Sequence, residues 1–140
     1  MKIDDVDTDY DTVRIEQVGT IDPLTGAILF KDETVEFLMS GFSSEVAGFI
    51  SGFLKGKRED PPTIYRLVEQ ICEENEIILV KVKIYESGDI FRANLYFTGK
   101  KDMVFRNFRA SDAIALATYY NIPVLVRKSL LKKIQENKKI

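Results

Sequence analysis

Hydrophobic residues recur along this chain with two different periods. From Thr12 to Ile21 the chain is rich in β-branched residues, which favours a strand. Asp22-Pro23-Leu24-Thr25-Gly26 follows, with Pro and Gly where a turn uses them. Ala27 to Lys31 and Thr34 to Met39 then predict a hairpin around Asp32-Glu33. The period changes after that. Val46, Ala47, Phe49, Ile50, Phe53 and Leu54 form one apolar helical stripe, which Gly56 ends. Gly48 and Gly52 lie four apart in it, a spacing that would let another element approach closely. After an exposed loop, Lys57 to Pro62, a second helix is expected from Pro62 or Thr63. Its stripe is Ile64, Leu67, Val68, Ile71 and Cys72.

Alternation then returns. Ile78, Val80, Val82 and Ile84 alternate with Leu79, Lys81, Lys83 and Tyr85. A Gly88-Asp89 turn follows, and Phe91, Ala93, Leu95 and Phe97 alternate with Arg92, Asn94 and Tyr96. After a turn at Gly99 to Asp102, Met103 to Phe108 is the third strand. Strict alternation predicts an antiparallel meander with one wet face. An alanine-rich helix comes next and stops at Asn121, a residue that tolerates the left-handed conformation, two before Pro123. Val124 to Val126 is a short strand, and a basic helix is expected from Ser129 to the C-terminus. The whole predicts one α+β domain, a mixed or antiparallel sheet with three to four helices. "FSSEVAGFI" and "RASDAIALA" both follow a strand and both place Ser and then an acid at a helix start, the trace that a duplicated hairpin–helix unit would leave. The expected organisation is a flexible acidic arm over 1–11, a domain over 12–131 and a basic C-terminal helix end over 132–140.

Composition narrows the chemistry. The chain has 140 residues, 45% hydrophobic and 30% charged, enough for one domain with a core. No apolar run approaches the roughly 18 residues of a membrane span. The acidic start gives no signal-peptide pattern. The single cysteine, Cys72, falls on a helix's apolar face and reads as a buried thiol, which suits a reducing, cytoplasmic setting. The absence of histidine excludes Ser-His and Cys-His nucleophiles and His-ligated metals. Catalysis would fall to carboxylates, Lys, Arg, Tyr or Ser, with an oxygen-ligated divalent ion. Net charge is -2, but Asp4, Asp5, Asp7, Asp9 and Asp11 crowd one end, and Arg127, Lys128, Lys132, Lys133, Lys138 and Lys139 the other. The basic end reads either as a phosphate-binding surface or as a solvated face.

The densest local chemistry is at the start of the alanine-rich helix, Arg109-Ala110-Ser111-Asp112. Ser would cap the free amides, and Asp would favour the positive helix end. Ser44-Glu45 has the same reading. Arg109 would pair with Asp112, or hold a phosphate together with the helix amides. The aromatics Phe91, Tyr96, Phe97, Phe105 and Phe108 suit a sheet core or a base-stacking platform, with Tyr85 and Tyr96 on the wetter face as the better stacking candidates. No Gly-rich phosphate loop, zinc-type cysteine spacing or Ser elbow occurs.

The stretch Arg109-Ala110-Ser111-Asp112-Ala113-Ile114-Ala115-Leu116-Ala117, with Pro123-Val124-Leu125-Val126 after it, resembles a segment of the bifunctional nuclease domain family. "GFSSEVAGFI" is similar to the family's Ile-Gly-x-x-Glu-Ala segment, with Glu45 on its acid. "PPTIYRLV" is similar to its Arg-Pro-x-Thr-His-Asp-Leu-Leu, and "GDIFRANLYF" to its Gly-x-Phe-x-Ala-x-Leu strand. Thr63-Ile64-Tyr65 stands where the family has Thr-His-Asp, Asn107 where it has an Asp, and Ala110 where it has a Pro. The resemblance implies an α+β fold and a DNase/RNase activity on DNA or RNA. It implies Glu45 and Asp112 as catalytic, metal-facing carboxylates for Mg²⁺ or Mn²⁺, with no organic cofactor. It implies Arg109 and Ser111 as phosphate-binding groups. The lost His and Asp point the other way, to an inactive relative. The alternative reading is a noncatalytic dimeric binding or scaffold module. The glycine-containing apolar helix from Glu45 to Leu54 leads us to expect a homodimer; no membrane contact is expected.

Overall fold

A computed structural model of the chain describes residues 7–58 and 63–134. A short 3-10 turn at Asp7–Asp9 leads into three antiparallel strands, β1 (Tyr10–Asp22), β2 (Thr25–Lys31) and β3 (Val35–Ser43). Helices α1 (Ser44–Leu54) and α2 (Ile64–Glu74) follow. A second meander, β4 (Ile78–Ser87), β5 (Ile90–Thr98) and β6 (Asp102–Arg109), leads into α3 (Ala110–Tyr120) and then β7 (Val124–Arg127). A two-residue strand, β8 (Lys132–Lys133), closes the described chain. All eight strands join one mixed sheet in the order β6-β5-β4-β7-β1-β2-β3-β8. Among the described residues only the β4–β7 pair is parallel, because α3 crosses over between β6 and β7. The molecule is therefore α+β, with three α-helices among the described residues. No helix there is long and apolar enough to cross a membrane.

The sheet curls around its helices. Phe37 of β3 meets Phe91 of β5 edge-on at 5.2 Å, although four strands separate them along the sheet. Inside the curl α1 packs on β1, β2 and β3, while α3 packs on β4, β5 and β6 and against α1. This explains the composition of α3. It is buried on nearly every side, and only a helix of small residues leaves room for neighbours all round: Ala113, Ala115 and Ala117 are buried with Ile114 and Leu116. Gly26 does similar work on β2. A Cβ there would lie 2.7 Å from the Phe42 ring and 2.9 Å from Ala47 Cβ, so its absence lets the strand pass beneath α1.

Several expectations change. The acidic arm does not extend to Asp11: Tyr10 and Asp11 pair with Arg127 and Val126, and Tyr10 is buried. Met1 to Val6 lie outside the described residues. The basic C-terminal helix is replaced, as far as Ile134, by a 3-10 turn at Lys128–Leu130 and by β8, which pairs with β3. Its expected remainder, 135–140, lies outside the described residues, as do 59–62 of the loop after α1. Strand β2 begins inside the expected turn, at Thr25. The duplicated hairpin–helix unit is not seen: α1 is followed by a second helix, whereas α3 is followed by a strand laid between the two meanders. Among the described residues nothing lies within 4 Å of a Cβ on Gly48, and the nearest atom to a Cβ on Gly52 is the Lys57 carbonyl oxygen at 3.9 Å. The stripe of α2 meets the core only in part: its Cys72 is buried and its Val68 packs against the core. Tyr65 and Cys72 are the helix's buried residues, while Ile64, Leu67 and Ile71 are exposed.

The alternation in β4 is broken by a bulge between Leu79 and Lys81. Leu79, Val82 and Ile84 face the helices, and Ile78 and Val80 face out. Lys83, on the sheet's other face, is 1% exposed, its ammonium 4.9 Å from each of the Tyr10 and Tyr96 ring centroids.

Candidate functional site

A cleft of about 750 Å³ opens between α1, α2, α3 and the β5–β6 edge. Three of the sequence-predicted residues line it together: Glu45, Arg109 and Asp112. Each arrives from a helix start. Glu45 lies in the first turn of α1, whose N-cap is Ser43; the Ser43 hydroxyl accepts the Glu45 N–H at 3.0 Å. Arg109 is the last residue of β6 and the N-cap residue of α3, and Asp112 lies in that helix's first turn.

This geometry revises the capping expectation. Neither Ser44 nor Ser111 is an N-cap residue. Ser44 instead donates its hydroxyl to the Pro23 carbonyl at 2.8 Å. Ser111 is buried on the opposite side of Arg109, where both border a second, smaller cavity of about 450 Å³ with Asp89 and Ile90. Arg109 makes no side-chain cap either. Its Nε donates to Asp112 Oδ2 at 2.9 Å, an ion pair across the first helical turn whose side chains are 70% and 41% exposed.

Tyr65 ties the three charges to one place. Its hydroxyl is pushed up to about 12, first by burial, then by the negative charge of Asp112, with Glu45 adding to the shift and Arg109 opposing it. All three side chains thus act on one phenol, which stays protonated through the physiological range. Tyr65 itself packs edge-on against Phe49 and Phe53, at 5.7 and 5.4 Å between centroids. Thr63, two residues before it, lines the same cleft, and its buried Oγ1 has no hydrogen-bond partner among the described residues.

The remaining walls are apolar. Val46 and Phe49 come from α1, Val68 from α2, Leu116 from α3, Leu95 and Phe97 from β5. The outer lip is Phe105 and Phe108 of β6, each about half exposed. Residues three apart on a regular strand face opposite ways. Here both reach one cleft because Arg106 and Asn107 together stand opposite Asn94, a bulge in the β5–β6 pairing. Asn107 takes a left-handed φ of 72° there; its N–H donates to Asn94 Oδ1 at 3.0 Å, and its own Oδ1 accepts from the Tyr85 hydroxyl at 3.3 Å.

Sequence reasoning does not bring Thr63 and Tyr65 to this site, and it weighs Phe105 and Phe108 as sheet core or as a base-stacking platform in which Tyr85 and Tyr96 are the better candidates. The signal for Phe105 and Phe108 was an Asn inside a strand, a residue that tolerates the left-handed region and so marks a bulge. Among the described residues no three of His, Cys, Asp and Glu gather as a metal-holding group. No curated protein sequence matches the chain. The model of the bifunctional nuclease domain does match, over residues 28–139, which takes in every element that lines the cleft; the chain belongs to the bifunctional nuclease domain family.

Proposed function

We propose that this chain engages DNA or RNA at the cleft and acts on it by binding, without efficient phosphodiester hydrolysis. The observation that carries this is the make-up of the cleft: apolar and aromatic walls, one guanidinium at the lip, and two carboxylates, one of which is already paired. Arg109 is the group for a phosphate. Its side chain is largely exposed, and exchanging Asp112 for a phosphate oxygen keeps a charge-assisted hydrogen bond throughout.

The donor set does not suit a resident divalent metal. Mg²⁺ and Mn²⁺ favour several oxygen ligands in octahedral order, and here Glu45 stands with an Asp112 whose Oδ2 is taken by Arg109. The positions that carry His and Asp in the family pattern are Ile64 and Tyr65, and both line this cleft. No hydrolytic step is therefore derived through a metal. One observation favours the hydrolase as a second reading: Glu45 and Asp112 border the same space, and Mg²⁺ is often held by one or two carboxylates together with the substrate's own phosphates.

Labelled single- and double-stranded DNA and RNA, incubated with Mg²⁺ or Mn²⁺ and with chelator, decide between the two. Binding without cleavage is expected. Metal-dependent cleavage that disappears in both Asp112→Ala and Glu45→Ala would replace the binding reading with the hydrolase.

A homodimer in a cytoplasmic, reducing setting completes the proposal. Its support is the exposed Ile64, Leu67 and Ile71 on α2, rather than the glycines of α1, and the free, buried Cys72. Light scattering at micromolar concentration should give twice the 16.0 kDa chain mass. A monomer mass would reject the dimer.

A further inference from the structure

We propose that the cleft holds one unstacked nucleobase bearing an exocyclic amine, so that the protein selects single strands and, among them, those rich in adenine or cytosine over uracil or thymine. This rests on the nucleic-acid reading above and goes beyond it by naming what enters the cleft.

The shape of the site is the first argument. A volume of about 750 Å³ lies within the range of small-molecule clefts and leaves room for a base. At its lip stand two half-exposed phenyl rings, Phe105 and Phe108, apolar surface that water covers in the free protein. Phe97 meets Phe105 edge to face at 5.5 Å, so that neighbour takes at most one face of the Phe105 ring. A left-handed non-glycine residue, Asn107, holds the bulge that brings the two rings to one side. Backbone strain of this kind persists where the surroundings fix it, and it clusters at binding sites. Every base has a π-face for such rings, so stacking supplies affinity in any single strand. In a duplex those faces are covered by neighbouring pairs, and extrusion of a base is costly.

The polar groups decide which base. Glu45 and Asp112 bring carboxylate oxygens, which accept hydrogen bonds, to the cleft. The amines of adenine and cytosine each bring two hydrogens to such groups, whereas uracil and thymine offer a single N3–H flanked by two carbonyl oxygens, which the carboxylates repel. The same two carboxylates oppose entry of a phosphate into the interior. They leave the sugar–phosphate chain at the lip, where Arg109 stands.

The test is fluorescence anisotropy of labelled oligo(dA), oligo(dC), oligo(dT) and oligo(dU), and of a mixed-sequence duplex. The parent protein is compared with Phe105→Leu, Phe108→Leu and Arg109→Ala. Leucine keeps the apolar surface and removes the ring, at positions exposed enough for folding to survive; thermal melting checks this. The expected result is tighter binding of oligo(dA) and oligo(dC) than of oligo(dT), oligo(dU) or duplex. A further loss of about tenfold on the preferred strands is expected in either Phe→Leu variant. If duplex or oligo(dT) binds as well, or if both Phe→Leu variants bind normally while Arg109→Ala weakens every ligand, the base-in-cleft proposal is overturned and nucleic-acid binding stands. If no nucleic acid binds at all, both fall.

Discussion

Arg109 and Asp112 are the two residues that the sequence placed closest to chemistry, and in the structure they hold each other. The pair is largely solvated, so its own contribution is small, a few tenths of a kcal/mol by the measure of exposed ion pairs, about 0.2–1 kcal/mol. Asp112 also faces the positive end of α3, which adds about 0.3–1 kcal/mol. Asp112→Ala is therefore expected to cost about 0.5–2 kcal/mol, read from urea or thermal unfolding. Arg109→Ala should cost less still. Its effect should appear in binding instead, as a weaker complex whose salt dependence is flatter by about one charge. Normal binding at both low and high salt would remove Arg109 from the interface. Tyr65 gives a pH test. Its hydroxyl is raised from 10.0 to about 12 in the fold, so the neutral form is favoured there. The stability it contributes is complete below about pH 10 and is lost as pH climbs toward 12. Tyr65→Phe should therefore lose less stability than the parent between these values, although Tyr119, also raised to about 12, will leave a residual slope in both proteins. Identical alkaline slopes in the two would mean that Tyr65 titrates normally.

At the scale of elements, the bulge in β6 brings Phe105 and Phe108 to one cleft. It depends on a residue that tolerates φ of 72° at position 107. Asn107→Val should cost roughly 1–2 kcal/mol, because a β-branched residue clashes in that conformation. It should also weaken ligand binding by turning Phe108 away from Phe105. Asn107→Gly should keep the conformation and the binding. A Val variant as stable as the parent would show that the strand relaxes without loss. Helix α2 illustrates a different lesson. Its apolar spacing predicted a helix correctly, and Ile64–Glu74 is one. Periodicity says which side chains share a face but not which face meets the core. Here aromatic contacts of Tyr65 with Phe49 and Phe53 orient the helix and leave Ile64, Leu67 and Ile71 outside.

For the whole molecule the acidic N-terminal segment gives the clearest test. The acidic run suggested that Met1 to Asp11 is dispensable. The structure puts Tyr10 in β1, buried beside the Lys83 ammonium and paired with Arg127. Deleting residues 1–11 should therefore cost about 3 kcal/mol or more, by comparison with large-to-small changes at buried aromatics. That is a fall of roughly 10 °C in melting temperature for a chain of this size. An unchanged melting temperature would show that this strand end is not part of the fold's cooperative unit.

By itself the sequence determined the α+β class, the two meanders, the helix at each meander's end and the candidate set Glu45, Arg109 and Asp112. These follow from short-range rules: side-chain period, turn chemistry, and charge at helix starts act over a few residues and need no knowledge of what lies across the molecule. Only the tertiary structure decided that Thr63, Tyr65, Phe105 and Phe108 join those charges, that Ser111 faces another cavity, and that Lys83 is buried. The physical reason lies in the curl of the sheet and its bulges. A bulge reverses which residues face inward, and the curl brings strands into contact that are distant along the sheet. Both depend on packing between segments far apart in the chain, where local pattern carries no information.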